Sequence, residues 1–506
     1  MRHWLGKLLR GTSTGAPPEA ERDALVRQAL AQQQAGWFEE AERYFYRALA
    51  LAPESAEIQL QLGNLFRAQG RQEAALQCCL EAVRLAPGFA QARNNLGNAY
   101  RELGQAGEAL AEFRQAVVLD PGLPEAQFNL GVALQKRGEA GEAMQCYRNA
   151  LLGRPDFAFA RLNLGLLLEE REDVDGAIAC YAGAVAADPG LVEAHVNLGM
   201  QLLLAGRFAE GWREYEWRLR YPEYSGADVA TRAPRWDGAA LSGRTILLDA
   251  EQGFGDAIQF LRYAPMVAER GGQVLLRCAA ELGDLFARTA GVTSVHPRGG
   301  ALPPFNVVCP LPSLPLVFGT TLDAVPAPVP YVRADAGKLA RWKDRFSNAA
   351  DKFKVGLVWA SQSQHRTAGE KSVALAALAP LAGVSGVRFY SLQKGEAARQ
   401  VERPPGGMQI EDLDRDLRDF SDTAAVLANL DLVISVDTAV AHLAGAMARP
   451  AWTLLKFAPD WRWLLGRGDC PWYPTMRLFR QQAPGAWDAV IEEVAQSLQQ
   501  RAGPRR

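Results

Sequence analysis

The stretch Asn95–Pro121, NLGNAYRELGQAGEALAEFRQAVVLDP, returns 34 residues later as Asn129–Pro155, NLGVALQKRGEAGEAMQCYRNALLGRP. Outward from it, Pro53, Pro87, Pro121, Pro155 and Pro189 keep the same 34-residue step. Twelve residues before each proline stands Ala41, Ala75, Ala109, Ala143 or Ala177, and five before each stands Ala48, Ala82, Ala116, Ala150 or Ala184. Leu-Gly pairs recur at Leu62, Leu96, Leu130, Leu164 and Leu198. An aromatic residue precedes the proline by eight at Phe45, Phe113, Tyr147 and Tyr181, with Cys79 as the exception. A fixed period of this length predicts stacked helical hairpins. Small Gly and Ala let two helices approach, the ring fills the gap between hairpins, and proline ends the second helix. A sixth hairpin begins near Val192, where Gly211 replaces the alanine and Trp212, Tyr215 and Trp217 enrich the second helix. It is expected to cap the stack, because a terminal repeat otherwise exposes an apolar face.

On these residues the segment 22–221 resembles the tetratricopeptide-repeat family. One polar position recurs just before the Leu-Gly pair: Asn95, Asn129, Asn163 and Asn197, with Gln61 in the second repeat. The resemblance places it on the concave side of the first helix, as in the repeat half of the eukaryotic O-linked N-acetylglucosamine transferases. Each amide offers a donor and an acceptor, so the row either holds the backbone of an extended peptide or ties neighbouring repeats together.

A chain of 506 residues exceeds one core and predicts three or four units. A formal charge of −2 offers no electrostatic argument for nucleic acid or an anionic membrane. Seven scattered cysteines without CxxC spacing predict reduced thiols and a cytoplasmic protein. Met1–Arg10 lacks the apolar run of a signal peptide. Prolines 303, 304, 310, 312 and 315 break the longest uncharged stretch, 299–322, so no membrane span is expected.

From Pro222 to Gly243 the periodicity gives way to Pro, Gly, Ser and Ala, which predicts a linker. Beyond it, short apolar runs alternate with helical stretches. Strands are expected at 245–250, 273–277 and 306–308, a helix at 257–269, and, after a helix at 336–346, further strands at 354–359, 387–392 and 431–436. Such alternation predicts parallel sheets flanked by helices, with a ligand cleft at the carboxyl ends of the strands.

Two strand–turn–helix junctions carry chemistry. In Glu251-Gln252-Gly253-Phe254-Gly255-Asp256 the glycines permit close approach of a ligand to a helix amino terminus, while Asp256 also suits an N-cap. In Ser435-Val436-Asp437-Thr438-Ala439-Val440-Ala441-His442, Asp437 or Thr438 can cap the helix and its first amides can receive a phosphate, with His442 one turn on. Lys371 and Ser372 follow an irregular loop, Ala360 to Arg366, that contains His365; Gln393-Lys394-Gly395 is a further phosphate-side candidate. Trp461, Trp463, Trp472 and Tyr473 suit a core that packs the last helix across the domains, and Arg462 between them is the member expected to face a ligand.

The run 431–452, with EQGFGDAIQFLRYAP (251–265), PDWRWLL and PWYPTMRLFRQ, resembles bacterial proteins that join tetratricopeptide repeats to a two-domain GT-B body of the ADP-heptose, heptosyltransferase type, some of which are flagellin glycosyltransferases. The resemblance implies an α + α/β chain: a flexible start at 1–21, repeats at 22–221, a linker at 222–243, Rossmann-like domains at 244–335 and 336–500, and a tail at 501–506. It implies Asp256 as catalytic base. It implies donor contacts at Gly253, Gly255, His365, Lys371, Ser372, Lys394, Asp437, Thr438, His442 and Arg462. The acceptor peptide would lie on Asn95, Asn129, Asn163 and Asn197. No metal is expected, and no cofactor beyond a nucleotide-sugar substrate, CMP-nonulosonic acid and ADP-heptose both remaining open. The expected partner is an acceptor protein, flagellin or its chaperone complex. The alternatives are a heptosyltransferase acting on lipopolysaccharide or another glycan, and a non-catalytic scaffold, since the family's Gly-Asn is replaced in the loop 360–364.

Overall fold

The computed structural model describes residues 18–502, save 227, 228, 230, 231, 327 and 363–367. By contact density it divides into two units. One runs to Leu168 and includes Ala179–Gly190; the other comprises Glu169–Ile178 and the chain from Leu191 onward.

The first unit is a helical solenoid. Its hairpins pair Pro18–Gln34 with Phe38–Leu51, Ala56–Ala68 with Gln72–Leu85, Ala90–Glu102 with Ala106–Leu119, and Pro124–Lys136 with Ala140–Gly153. Ala41, Ala48, Ala82, Ala116 and Ala150 are buried where helices cross. The Leu-Gly glycines make room for the rings: a Cβ at Gly97 would stand 2.6 Å from Phe113, one at Gly131 2.7 Å from Tyr147, and one at Gly165 2.6 Å from Tyr181. Most of these helices start without a side-chain cap, Ser55 being one exception. Tertiary packing of an amphipathic face therefore supplies most of their stability.

The second unit includes the sixth hairpin, Val192–Leu204 and Phe208–Tyr215, continued by a 3-10 turn Glu216–Arg220. Two parallel sheets follow. The first holds β1 (Thr245–Asp249), β2 (Gln273–Cys278), β3 (Ser294–Pro297) and β4 (Val307–Pro310) in the order β3-β2-β1-β4. The second holds β5 (Phe353–Val358), β6 (Val387–Ser391), β7 (Ile410–Asp412), β8 (Leu432–Val436), β9 (Ala451–Leu455) and β10 (Met476–Arg480) in the order β10-β9-β8-β5-β6-β7. Described strand pairs within both sheets are parallel, and most of the strands are buried along nearly their whole length, as parallel strands covered on both faces are. β3, β7, β9 and β10 lie outside the strands expected from the sequence. β3 and β7 are four and three residues long and only half-buried, too short to show a periodic signal.

Two further expectations change in detail. The helix after β1 starts at Phe254, not at 257, and breaks into Phe254–Phe260, a 3-10 turn and Ala264–Ala268. The last helix, Trp487–Ala502, buries Val490, Ile491, Val494 and Leu498 in a core shared with Trp452 and Phe479. Trp461, Trp463 and Trp472 belong to a different core, which runs from the sixth hairpin through the first sheet to the helix after β8. No described helix is long and apolar enough to cross a membrane.

Candidate functional site

β1 delivers the chain to Ala250–Gly253, and Gly253 takes the N-cap position of Phe254–Phe260. Asp256 is therefore in the first helical turn, where a carboxylate is favoured, and is not the cap. Its neighbour Gly255 faces the helix Ala439–Ala446: a Cβ there would lie 2.8 Å from the His442 ring. The two strand–helix junctions thus meet directly, helix against helix.

Arg462 joins them. It sits in the 3-10 turn Trp461–Trp463, capped by Asp460, and is 8% exposed. Its guanidinium ion-pairs with Asp256, donates to Asp460 Oδ1 at 2.7 Å, and donates to Gln259 Oε1 at 2.8 Å. Burial pushes the Asp256 carboxyl up, against the pull of Arg462. Asp460, half-buried, is held down at about 2 by Arg462 and Lys371 against its desolvation. Lys371 Nζ lies 2.6 Å from Asp437 Oδ2, and this partner keeps the ammonium charged against desolvation. His442 Nδ1 is 2.9 Å from the Tyr473 hydroxyl, and the ring stacks on Trp463. Burial drops its pKa to about 4, so the imidazole is neutral at neutral pH.

The structure thus brings together Asp256, Gly255, Lys371, Asp437, His442 and Arg462 from loops up to 206 residues apart. Gly253 stands exposed at the start of its helix. Thr438 is the N-cap residue of Ala439–Ala446, but its hydroxyl bonds Ser435 Oγ at 2.9 Å and makes no side-chain cap. Ser372 Oγ accepts from the Ser361 amide, and Gln393 accepts from the amides of Trp359 and Ala360; both pin the loop after β5. His365 lies outside the described residues. Lys394 is elsewhere: its ammonium binds the carbonyls of Asp414 and Leu417 and the Asp414 carboxylate. It stands beside a cavity of about 620 Å3 whose charged lining is Glu396, Arg399, Glu402, Asp412, Asp414 and Arg415, too acidic to attract phosphate.

Three of the four recurring asparagines bond sideways. Asn95 Nδ2 donates to Asn64 Oδ1 at 2.7 Å; Asn129 donates through Nδ2 to Asn94 Oδ1 at 2.8 Å, and its Oδ1 accepts from Arg101. Asn163 Nδ2 reaches the Tyr147 hydroxyl at 3.4 Å. Asn95 and Asn129 are buried, whereas Asn163 and Asn197 are half-buried. These bonds are those of the inter-repeat tie.

Sequence reasoning missed Gln259, Asp460 and Arg262. The Asp-x-Arg spacing of Asp460 and Arg462 was a legible capping signal. Arg262, 4% exposed, donates to the carbonyls of Gln259, Pro326 and Trp472 and to the Tyr331 hydroxyl, and lies over the Trp472 and Tyr473 rings. It fixes the segment that carries the His442 partner.

With this geometry in hand, the chain matches models of the tetratricopeptide repeat at residues 23–55, 63–104, 97–138, 128–192 and 162–215. A model described as glycosyltransferase family 9 (heptosyltransferase) matches residues 411–464. The chain joins tetratricopeptide repeats to a glycosyltransferase family 9-like domain. The family 9 match spans Asp437, His442, Asp460 and Arg462, four members of the cluster. Protein FlbA of Caulobacter vibrioides is 28% identical over 322 residues, covering 59% of this chain and 53% of FlbA; the chain spans about half the length of that relative. Among solved structures, Pseudomonas aeruginosa pilF is similar at 21% identity, over 42% of this chain and 98% of that one, with a TM-score of 0.38. A thermophilic TPR protein of Thermus thermophilus is similar at 23% identity, over 36% and 99%, with a TM-score of 0.31.

Proposed function

We propose that this chain is a protein O-glycosyltransferase that moves a sugar from a nucleotide-sugar to a Ser or Thr hydroxyl of a polypeptide. The observation that carries the reading is the Asp256–Arg462 pair beside Lys371 and the start of the helix after β8. Arg462 orients one oxygen of Asp256, while the other, Oδ2, accepts no hydrogen bond from any described residue. That oxygen takes the proton of the acceptor hydroxyl as its oxygen bonds the anomeric carbon. The bond from that carbon to the donor phosphate breaks, and the departing phosphate is stabilised by Lys371 and the amides at Ala439 and Val440. Lys371 exchanges Asp437 for the phosphate in that step.

The repeats support a polypeptide acceptor, and flagellin is the first to test. The array would hold it through its groove as a whole, because Asn95 and Asn129 are already engaged. The test is co-expression with flagellin followed by intact-mass spectrometry. Wild type adds a sugar mass, and Asp256→Asn lowers the rate about 10²–10⁴-fold. Undiminished transfer by that variant removes Asp256 from the mechanism. The heptosyltransferase description of the matched model favours a second reading, transfer of heptose from ADP-heptose to a glycan. Sugar gained by a lipopolysaccharide core, with none on flagellin, would select it.

A further inference from the structure

The sixth hairpin is packed into the α/β unit rather than resting on it. Trp212 is 1% exposed; its indole donates to the Thr320 carbonyl at 3.1 Å, and its ring meets Trp461 edge-on at 5.2 Å and Phe260 at 6.2 Å. Phe260 ends the helix that bears Asp256, and Trp461 precedes Arg462, so one indole touches both supports of the ion pair. Two polar contacts then hold the loop between β1 and Asp256. The Tyr215 hydroxyl donates to Gln252 Oε1 at 3.1 Å, and Gln252 Nε2 donates back at 2.9 Å. Arg218, 1% exposed, donates to Glu251 Oε1 at 3.0 Å, to Ser313 Oγ at 2.9 Å and to Glu216 Oε1 at 2.6 Å. Glu251 and Gln252, which open the EQGFGD motif, thus point their polar atoms at the hairpin.

A buried Arg–Glu pair is weak evidence for stability, because desolvation of both charges offsets much of their attraction. Its fork geometry does fix direction. Hydroxyl, amide and guanidinium together leave the loop few alternative conformations.

We infer that the sixth hairpin is a positioning element of the site, with Tyr215 and Arg218 holding the loop Ala250–Gly253 so that Asp256 and Arg462 meet in register for transfer. The inference rests on the transferase reading given above. It separates this hairpin from the five before it: they serve the acceptor, and it serves the chemistry.

The test uses full-length Tyr215→Phe, Arg218→Gln and Arg218→Lys. Hydrogen–deuterium exchange in peptides covering 250–260 reads the loop directly, and kcat and donor KM are measured with flagellin as acceptor. Expected are an exchange rate raised about tenfold in Tyr215→Phe and Arg218→Gln, and a kcat lowered about 10–100-fold with donor KM changed less than about threefold. Arg218→Lys should recover part of the loss, since it keeps the charge without the fork. Unchanged exchange in both variants overturns the inference, as does faster exchange at unchanged kcat. A fall in kcat that accompanies slackening across the whole chain, rather than in 250–260, also overturns it. Should wild type transfer nothing, the proposed function fails and positioning for transfer falls with it, while the exchange measurement still reports whether the hairpin holds the loop.

Discussion

Asn95 and Asp256 are both polar side chains on helices, and they find partners in opposite ways. Asn95 bonds Asn64, 31 residues away, and Asn129 bonds Asn94, 35 away. In the repeats a polar group finds a partner on the adjacent repeat, within a few residues of one period along the chain, so the stacking of neighbours satisfies it. Both members are neutral amides, and the bond is modest. Asp256 meets Arg462 across 206 residues, in a pocket built by two separate loops and a 3-10 turn. There the groups are charged and largely buried, and their partners determine whether they remain charged at all. The first arrangement builds a scaffold. The second concentrates charge, because carboxylates and cations are held together in partly buried positions at the ends of strands.

Four perturbations sharpen or break this contrast. The largest concerns Arg462→Met, which takes the guanidinium away from both Asp256 and Asp460; removing one partner of a buried ion pair costs about 3–5 kcal/mol. Urea unfolding should show that loss, and a change under about 1 kcal/mol would mean the pair behaves as a surface contact. Next is pH. His442 is held near 4 against an ordinary 6.5, so the folded state binds fewer protons than the unfolded chain between those values. Stability therefore falls on acidification from 6.5 to 4, by about 3 kcal/mol from this residue. His442→Phe should lose that share of the slope; identical profiles for variant and wild type would refute the neutral buried imidazole. Gly255→Ala forces a methyl group against the His442 ring at 2.8 Å, and overpacking of this kind costs about 1–3 kcal/mol. A gain in melting temperature, as for an ordinary helical Gly→Ala change, would show the two helices to be looser than described. Smallest is Asn95→Ala, which deletes the bond to Asn64 and the longer contacts from Asn94 and Gln91; a neutral bond of this kind contributes about 1 kcal/mol. If it abolishes acceptor binding while leaving stability unchanged, the amide row is a peptide contact rather than a tie.

The two regions differ just as much in how far their sequence could be read. The 34-residue period exposed the hairpins, their aromatic fillers and their small crossing residues, because each repeat sees only its neighbours. The long buried strands β1, β5, β6 and β8 were legible as apolar runs. The edge strands β3 and β7 were not, being short and half-exposed. In the candidate site the junctions at Gly253–Asp256 and Asp437–His442 were legible from their glycines and capping residues. Lys371 and Arg462 were legible as candidates, but which carboxylates they would meet was not. Arg462 joins Asp256 through a turn no period announces, whereas Lys394, an equal candidate by position, lies on the carbonyls of Asp414 and Leu417.

By itself the sequence determined what depends on neighbours along the chain: the repeats, the strand–helix alternation, and the two junctions where a helix amino terminus opens. Tertiary structure alone decided which charges meet, that Asn95, Asn129 and Asn163 are engaged sideways, and that Glu251 and Gln252 face Tyr215 and Arg218. The physical reason is range. Helix spacing and turn chemistry act over a few residues, while desolvation and ion pairing act over a few ångströms, whatever length of chain lies between.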